Sequence, residues 1–189
     1  MLSQLLQKLL FVNQFSIIDG KVEVLGSRYV MLNASDILAL QEIDKTRMYK
    51  LMKSSSKGNI KAIIEHAKVY EGIKDESIKN IAELSRKVGK NKEGVVRTLQ
   101  SLFELYGLGK MEITDLNNKD HRATIIVGSS SVAIEQLKKS KSKAAMCAVT
   151  AGILAGIFSY VFNEDVDCFE KKCLAKGDEF CLFIVGGKR

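Results

Sequence analysis

The position of the cysteines constrains this 189-residue chain more than any other feature. It has four, Cys147, Cys168, Cys173 and Cys181, and all fall in the last quarter of the sequence. Clustered cysteines in a chain without export signals point to metal ligation before disulfide bonding. Lys176-Gly177-Asp178-Glu179 is a turn signal, and a hairpin over 166–185 centred on it puts Cys173 directly opposite Cys181. Opposed residues of two antiparallel strands have Cβ atoms about 4.5–5.5 Å apart. Two thiolates at that spacing need only a modest adjustment to share a tetrahedral zinc at about 2.3 Å each. Cys147 opens an Ala- and Gly-rich helix read over 144–162, where the helix dipole favours a thiolate.

Strand parity leaves the fourth ligand open. Glu170 stands three residues before Cys173, so in a regular strand the two point to opposite faces. A bulge at Lys171-Lys172 would let them converge. Cys168 has the same parity problem and lies farther from the turn. His66 and His121 are distant in sequence and read as ordinary surface or core histidines. The competing reading of the whole group is buried free cysteines, packing as small apolar side chains.

The remaining composition narrows the classes. Hydrophobic residues make up 46% and charged residues 27%, so a packed globular domain is expected. The stretch 144–162 is too rich in small residues for a membrane span and reads as a buried core helix. Residues 1–11 lack the small-residue cleavage site of a signal peptide, so the chain is expected to be cytoplasmic. The net charge of +7 permits contact with nucleic acid. Its one dense run, Lys138 to Lys143, has no interleaved aromatics and reads as a solvated linker. Residues 80–105 have the outline of a helix-turn-helix, but the spacing from Ala82 to Gly89 is too long for its tight turn.

Along the chain, 1–18 is expected to be a short helix, followed by a hairpin pairing Val22–Leu25 with Tyr29–Leu32. Asn33 to Asp36 is a helix cap, and the helix it opens continues through Leu40 or beyond. Ser54 to Asn59 reads as a polar loop, with helices over 60–72, 76–88 and 91–106. Gly107 and Gly109 end the last of these. A second hairpin joins 110–116 to 122–127, and the basic linker leads to the Ala/Gly helix and the third hairpin. The fold class is α+β, an antiparallel sheet of hairpins flanked by helices, in one domain spanning 1–189.

The segment from Cys147 through Gly152-Ile153-Leu154-Ala155-Gly156 to Glu170, Cys173-Leu-Ala-Lys-Gly177-Asp178-Glu-Phe-Cys181-Leu-Phe183 resembles the 4-vinyl reductase domain family. Tyr106-Gly107-Leu108-Gly109 also resembles it, with Leu108 where the family usually has tryptophan. The likeness is clear over 100–186 and extends to 1–99 by topology. It implies a fold similar to the sensory domains of aromatic-responsive transcription activators and to transport-particle subunits. It further implies a zinc ion held by Cys147, Glu170, Cys173 and Cys181, with Cys168 as fallback or inert thiol.

A site with four protein ligands leaves no open position for substrate. No nucleophile–base constellation and no phosphate loop is present, and Gly107-x-Gly109 follows a helix rather than a strand, opposite to a dinucleotide fingerprint. No catalytic residue is therefore expected. The expected function is a zinc-containing module that binds or senses a small hydrophobic or aromatic molecule and acts as a homodimer. A DNA-binding regulator and a reductase of vinyl-type substrates are the alternatives. Tyr29, Tyr49, Phe103, Tyr106 and Phe158 are the candidate wall of an apolar pocket.

Overall fold

Alternating apolar residues and short turns build two antiparallel sheets. A computed structural model describes residues 15–18, 21–24, 27–69, 100, 103–104 and 106–186. These divide into two compact units, one of 1–31 with 60–105 and the other of 32–59 with 106–189.

In the first unit, β1 (Phe15–Ile18), β2 (Lys21–Val24) and β3 (Ser27–Tyr29) form a three-stranded antiparallel sheet. Ile17 pairs with Val22, and Val22 in turn with Tyr29. The helix expected over 1–18 gives way to strand at Phe15-Ser16-Ile17-Ile18, where two β-branched residues and an aromatic favour the pleated surface. The helices expected over 76–88 and over most of 91–106 lie outside the described residues.

In the second unit, Asn33 caps α1 (Ala34–Ile43) through a capping box with Asp36, as the sequence suggested. The helix α2 (Lys45–Val69) then runs straight through the expected polar loop at 54–59. Its path is set by packing against α4 (Ala148–Phe162). A Cβ on Gly152 would lie 2.5 Å from Tyr49 O, and one on Gly156 would overlap Lys53 O and sit 2.9 Å from Lys57 N. Two glycines one turn apart thus admit the backbone of α2, and that contact overrides the weak helix propensity of Ser, Gly and Asn.

The second sheet has four antiparallel strands in the order β4-β5-β7-β6. These are β4 (Lys110–Asn117), β5 (Arg122–Gly128), β6 (Asp167–Lys172) and β7 (Cys181–Gly186). Ala123, Ile125 and Val127 of β5 and Cys181, Phe183 and Val185 of β7 form its buried face. The helix α4 packs on β6 and β7. Its side chains are buried almost all round, as expected for a core helix. Three hairpins therefore supply two sheets, not one.

One helix went unread in the sequence. The helix α3 (Ser131–Lys139) follows β5 and buries Val132, Ala133 and Gln136 against its neighbours, α1 among them. The run from Lys138 is thus the end of a helix plus a short connection, and Lys138 and Lys139 sit favourably at the helix C-terminus. Among the described residues no helix is long and apolar enough to cross a membrane.

Candidate metal centre

The hairpin of β6 and β7 brings three of the four candidate ligands together. The last paired rung is Lys172 with Leu182, so Cys173 and Cys181 stand one step beyond it, at the mouth of the turn. Between them the chain makes a single 3-10 turn (Leu174–Lys176), closed by Gly177 at φ 99°. That conformation is open to glycine and strained for other residues. Asp178 accepts the Cys173 N–H at 2.7 Å and fixes the turn. Leu174 N–H points at Cys181 Sγ, 3.4 Å away.

The parity problem is solved by a bulge. The pairing of β6 with β7 shifts between Glu170 and Lys172, leaving Lys171 unpaired. An extra residue turns Glu170 toward the same side as Cys173. Cys168 remains on the regular part of the strand, paired with Val185, and its sulfur lies outside the group.

Cys147 arrives from the other direction. It is the N-cap residue of α4 rather than a member of its first turn, and its side chain makes no capping bond. Capping is supplied from α1, where the fully buried Gln41 accepts the Val149 N–H at 3.4 Å and donates to the carbonyl of Met146. Lys45 adds a bond to Ala145 O at 3.3 Å. Freed from capping, the Cys147 sulfur turns into the cluster.

The ligand atoms of Cys147, Glu170, Cys173 and Cys181 all lie within 4.8 Å of one another, and the three cysteines are fully buried. Cys147 Sγ is 3.8 Å from Cys181 Sγ and 4.0 Å from Cys173 Sγ. Sulfurs bound tetrahedrally to zinc at about 2.3 Å would stand roughly 3.8 Å apart. A disulfide needs about 2.05 Å, and all four cysteines are free. Glu170 Oε2 accepts the Cys147 N–H at 2.9 Å, while its Oε1 is buried with no hydrogen-bond partner. An orphaned carboxylate oxygen facing three thiols fits a bound divalent cation, and the sulfur-rich donor set suits zinc.

The electrostatics of the bare cluster show the same crowding. Burial, with the adjoining Cys173, pushes the Glu170 carboxyl up to about 7. The bond to Cys173 pushes the Cys147 thiol up, aided by the one to Cys181 and by burial. Those bonds, from Cys147 first and then Cys181, hold Cys173 well below the usual thiol range. Cys181 is drawn down by Cys147, but Cys173 and burial outweigh that and raise it to about 12. One thiol ionises at the expense of its neighbours, and only a cation would allow all of them to.

The other candidates lie elsewhere. His121 closes the β4–β5 turn at φ 50°, bonds Glu164 and stacks on Phe162 at 5.4 Å. The side chain of His66 lies outside the described residues. Of the proposed pocket wall, Tyr29 and Phe103 belong to the first unit and Tyr49, Tyr106 and Phe158 to the second. The Tyr49 hydroxyl is committed, donating to Asp167 at 3.0 Å and accepting the Cys168 N–H at 3.0 Å. Phe158 is fully buried beside Phe162. Gln41 and Asp178 had no assigned role in the sequence. Asp178 follows the turn glycine, which was its one visible signal.

Residues 132–187 match the family model of the 4-vinyl reductase domain. This segment is a 4-vinyl reductase domain. It contains all four clustered residues and the hairpin that carries three of them, in line with the resemblance carried by the sequence. An uncharacterized protein of Methanocaldococcus jannaschii is 25% identical over 87 residues, which are 46% of this chain and 49% of that protein. The match thus spans about half the length of that relative. Among solved structures, the phenol-responsive sensory domain of the transcription activator PoxR, crystallised with phenol, superposes with a TM-score of 0.69. It is 12% identical, and the match covers 99% of this chain and 92% of that one. A vinyl-4-reductase family protein from Methanocaldococcus jannaschii superposes with a TM-score of 0.51 at 18% identity, covering 86% and 85%. At such identities the likeness establishes a shared fold.

Proposed function

We propose that this 4-vinyl reductase domain protein is a zinc-containing module that binds a small hydrophobic or aromatic molecule without converting it. The observation that carries the metal half is the orphaned Glu170 Oε1 among three buried thiols at zinc-like separations. With four protein ligands the ion would be structural, tying the start of α4 to the β6–β7 hairpin. Cys147, Cys173 and Cys181 would bind as thiolates and Glu170 through Oε1. The ligand half is supported by the fold shared with a phenol-responsive sensory domain, which makes phenol the first compound to try.

Two measurements test the two halves separately. Elemental analysis of protein purified without added metal should find about one zinc per chain. Native mass spectrometry with phenol and larger apolar compounds should show a homodimer carrying ligand of unchanged mass. A well-folded, metal-free protein with three free cluster thiols would end the zinc reading. Turnover of a reducible vinyl compound with a nicotinamide cofactor would make the protein an enzyme instead.

A further inference from the structure

The structure assigns Ser130 as a positioning residue for the metal-binding sulfur of Cys147, to which its hydroxyl donates a hydrogen bond. The assignment rests on the metal reading of the cluster. Ser130 is the N-cap residue of α3, where a serine hydroxyl ordinarily accepts a backbone N–H of the first helical turn. Here it makes no such bond. Its Oγ lies instead 3.5 Å from Cys147 Sγ, and the residue is fully buried. A buried hydroxyl turned away from the bond it makes best must satisfy itself on what it faces, and it faces the sulfur.

The direction of that bond follows from the ion. A metal-bound thiolate has no proton to give, so the hydroxyl is the donor. Three thiolates and a carboxylate around a divalent cation leave two negative charges in excess, in a site closed to solvent. Each sulfur therefore gains from a donor outside the ligand set. Cys181 Sγ has the Leu174 N–H at 3.4 Å. The N–H of Cys147 is spent on Glu170, and Ser130 supplies the donor its sulfur would otherwise lack. The preceding residue, Ser129, sits in the left-handed region at φ 55°, which bends the chain between β5 and α3 just before the hydroxyl turns inward. Nothing in the sequence distance of 17 residues between Ser130 and Cys147 announces the pair.

Cobalt(II) reports thiolate donation through its near-ultraviolet sulfur-to-metal charge-transfer band. Losing a hydrogen bond raises the sulfur lone pair, so the band should move to lower energy in Ser130→Val at unchanged one-to-one loading. In the near-isosteric Ser130→Thr the hydroxyl returns and the wild-type band should return with it. Alkylation of metal-loaded protein by iodoacetamide, located by mass spectrometry, should quicken several-fold at Cys147 in Ser130→Val and stay at the wild-type rate in Ser130→Thr. A purely structural role would move neither the band nor the site of alkylation. Equal bands and equal rates in the two variants, at full loading, overturn the assignment. Should Ser130→Val fail to fold, wild-type protein loaded with an NMR-active cadmium isotope decides. Scalar coupling between the metal and the Ser130 hydroxyl proton through Cys147 Sγ supports the assignment, and a resolved hydroxyl proton without coupling overturns it. A wild-type chain that takes up no metal overturns the metal reading and this one together.

Discussion

Glu170 Oε2 accepts the backbone N–H of Cys147 at 2.9 Å, so one candidate ligand holds the next in place across 23 residues of sequence. The bond joins the bulge of β6 to the N-cap of α4. The second oxygen of the same carboxylate is left for the ion.

Glu170→Gln keeps an acceptor for that N–H and removes the ligand charge. Zinc affinity, measured by competition with a chromophoric chelator, is expected to fall about 10- to 100-fold, as for other weakened metal sites. The variant should still fold when zinc is in excess.

Cys181→Ser and Cys168→Ser should separate sharply. The first removes a clustered sulfur and should abolish stoichiometric zinc and lower Tm by several degrees. The second alters a buried thiol outside the cluster and should leave metal content at the wild-type value. Metal analysis and thermal melts on the two proteins suffice to check this.

Gly156→Ala should destabilise the fold although alanine is the better helix former. The added methyl would overlap Lys53 O and press on Lys57 N at 2.9 Å, both backbone atoms of α2. Overpacking of this kind costs about 1–3 kcal/mol, against a gain of about 1 kcal/mol in helix propensity. A lower denaturation midpoint at unchanged m-value is the expected readout.

The polar tie between α2 and β6 predicts loss of stability in alkali. Burial, with the bond and charge of Asp167, raises the Tyr49 phenol well above its ordinary range. Burial alone would lower Lys53, but its bonds to Asp167 at 2.7 Å and Asp165 at 3.0 Å outweigh it and raise it. Both groups keep their protons longer folded than unfolded. Their stabilisation is complete below pH about 10 and declines as the pH climbs beyond it. Melts of wild type between pH 8 and about 11.5 should fall steeply at the alkaline end. Tyr49→Phe should start lower by about 1–2 kcal/mol and fall less.

Gln41→Leu removes the surrogate cap of α4 and leaves the Val149 N–H and Met146 carbonyl without their partner. A stability loss of about 1–3 kcal/mol is expected, together with weaker zinc binding, since the cap positions Cys147. Loss of stability at unchanged metal affinity would show that Gln41 serves the helix alone.

The sequence by itself determined the features that depend on neighbours in the chain. Gly177 midway between Cys173 and Cys181 specified a turn and brought both sulfurs to its mouth. Asn33 with Asp36 specified a helix start, and alternating apolar residues specified the strands of the second sheet. Parity even located the bulge, because Glu170 and Cys173 cannot face one way without it. Tertiary structure decided what depends on distant partners. Ser54 to Asn59 is helical because Gly152 and Gly156, about a hundred residues away, admit the backbone of α2. Cys147 is turned into the cluster because Gln41 takes over the cap and Glu170 takes the N–H. Local propensities differ by less than about 1 kcal/mol per residue, so a long-range contact that forbids a side chain or satisfies a buried polar group overrides them.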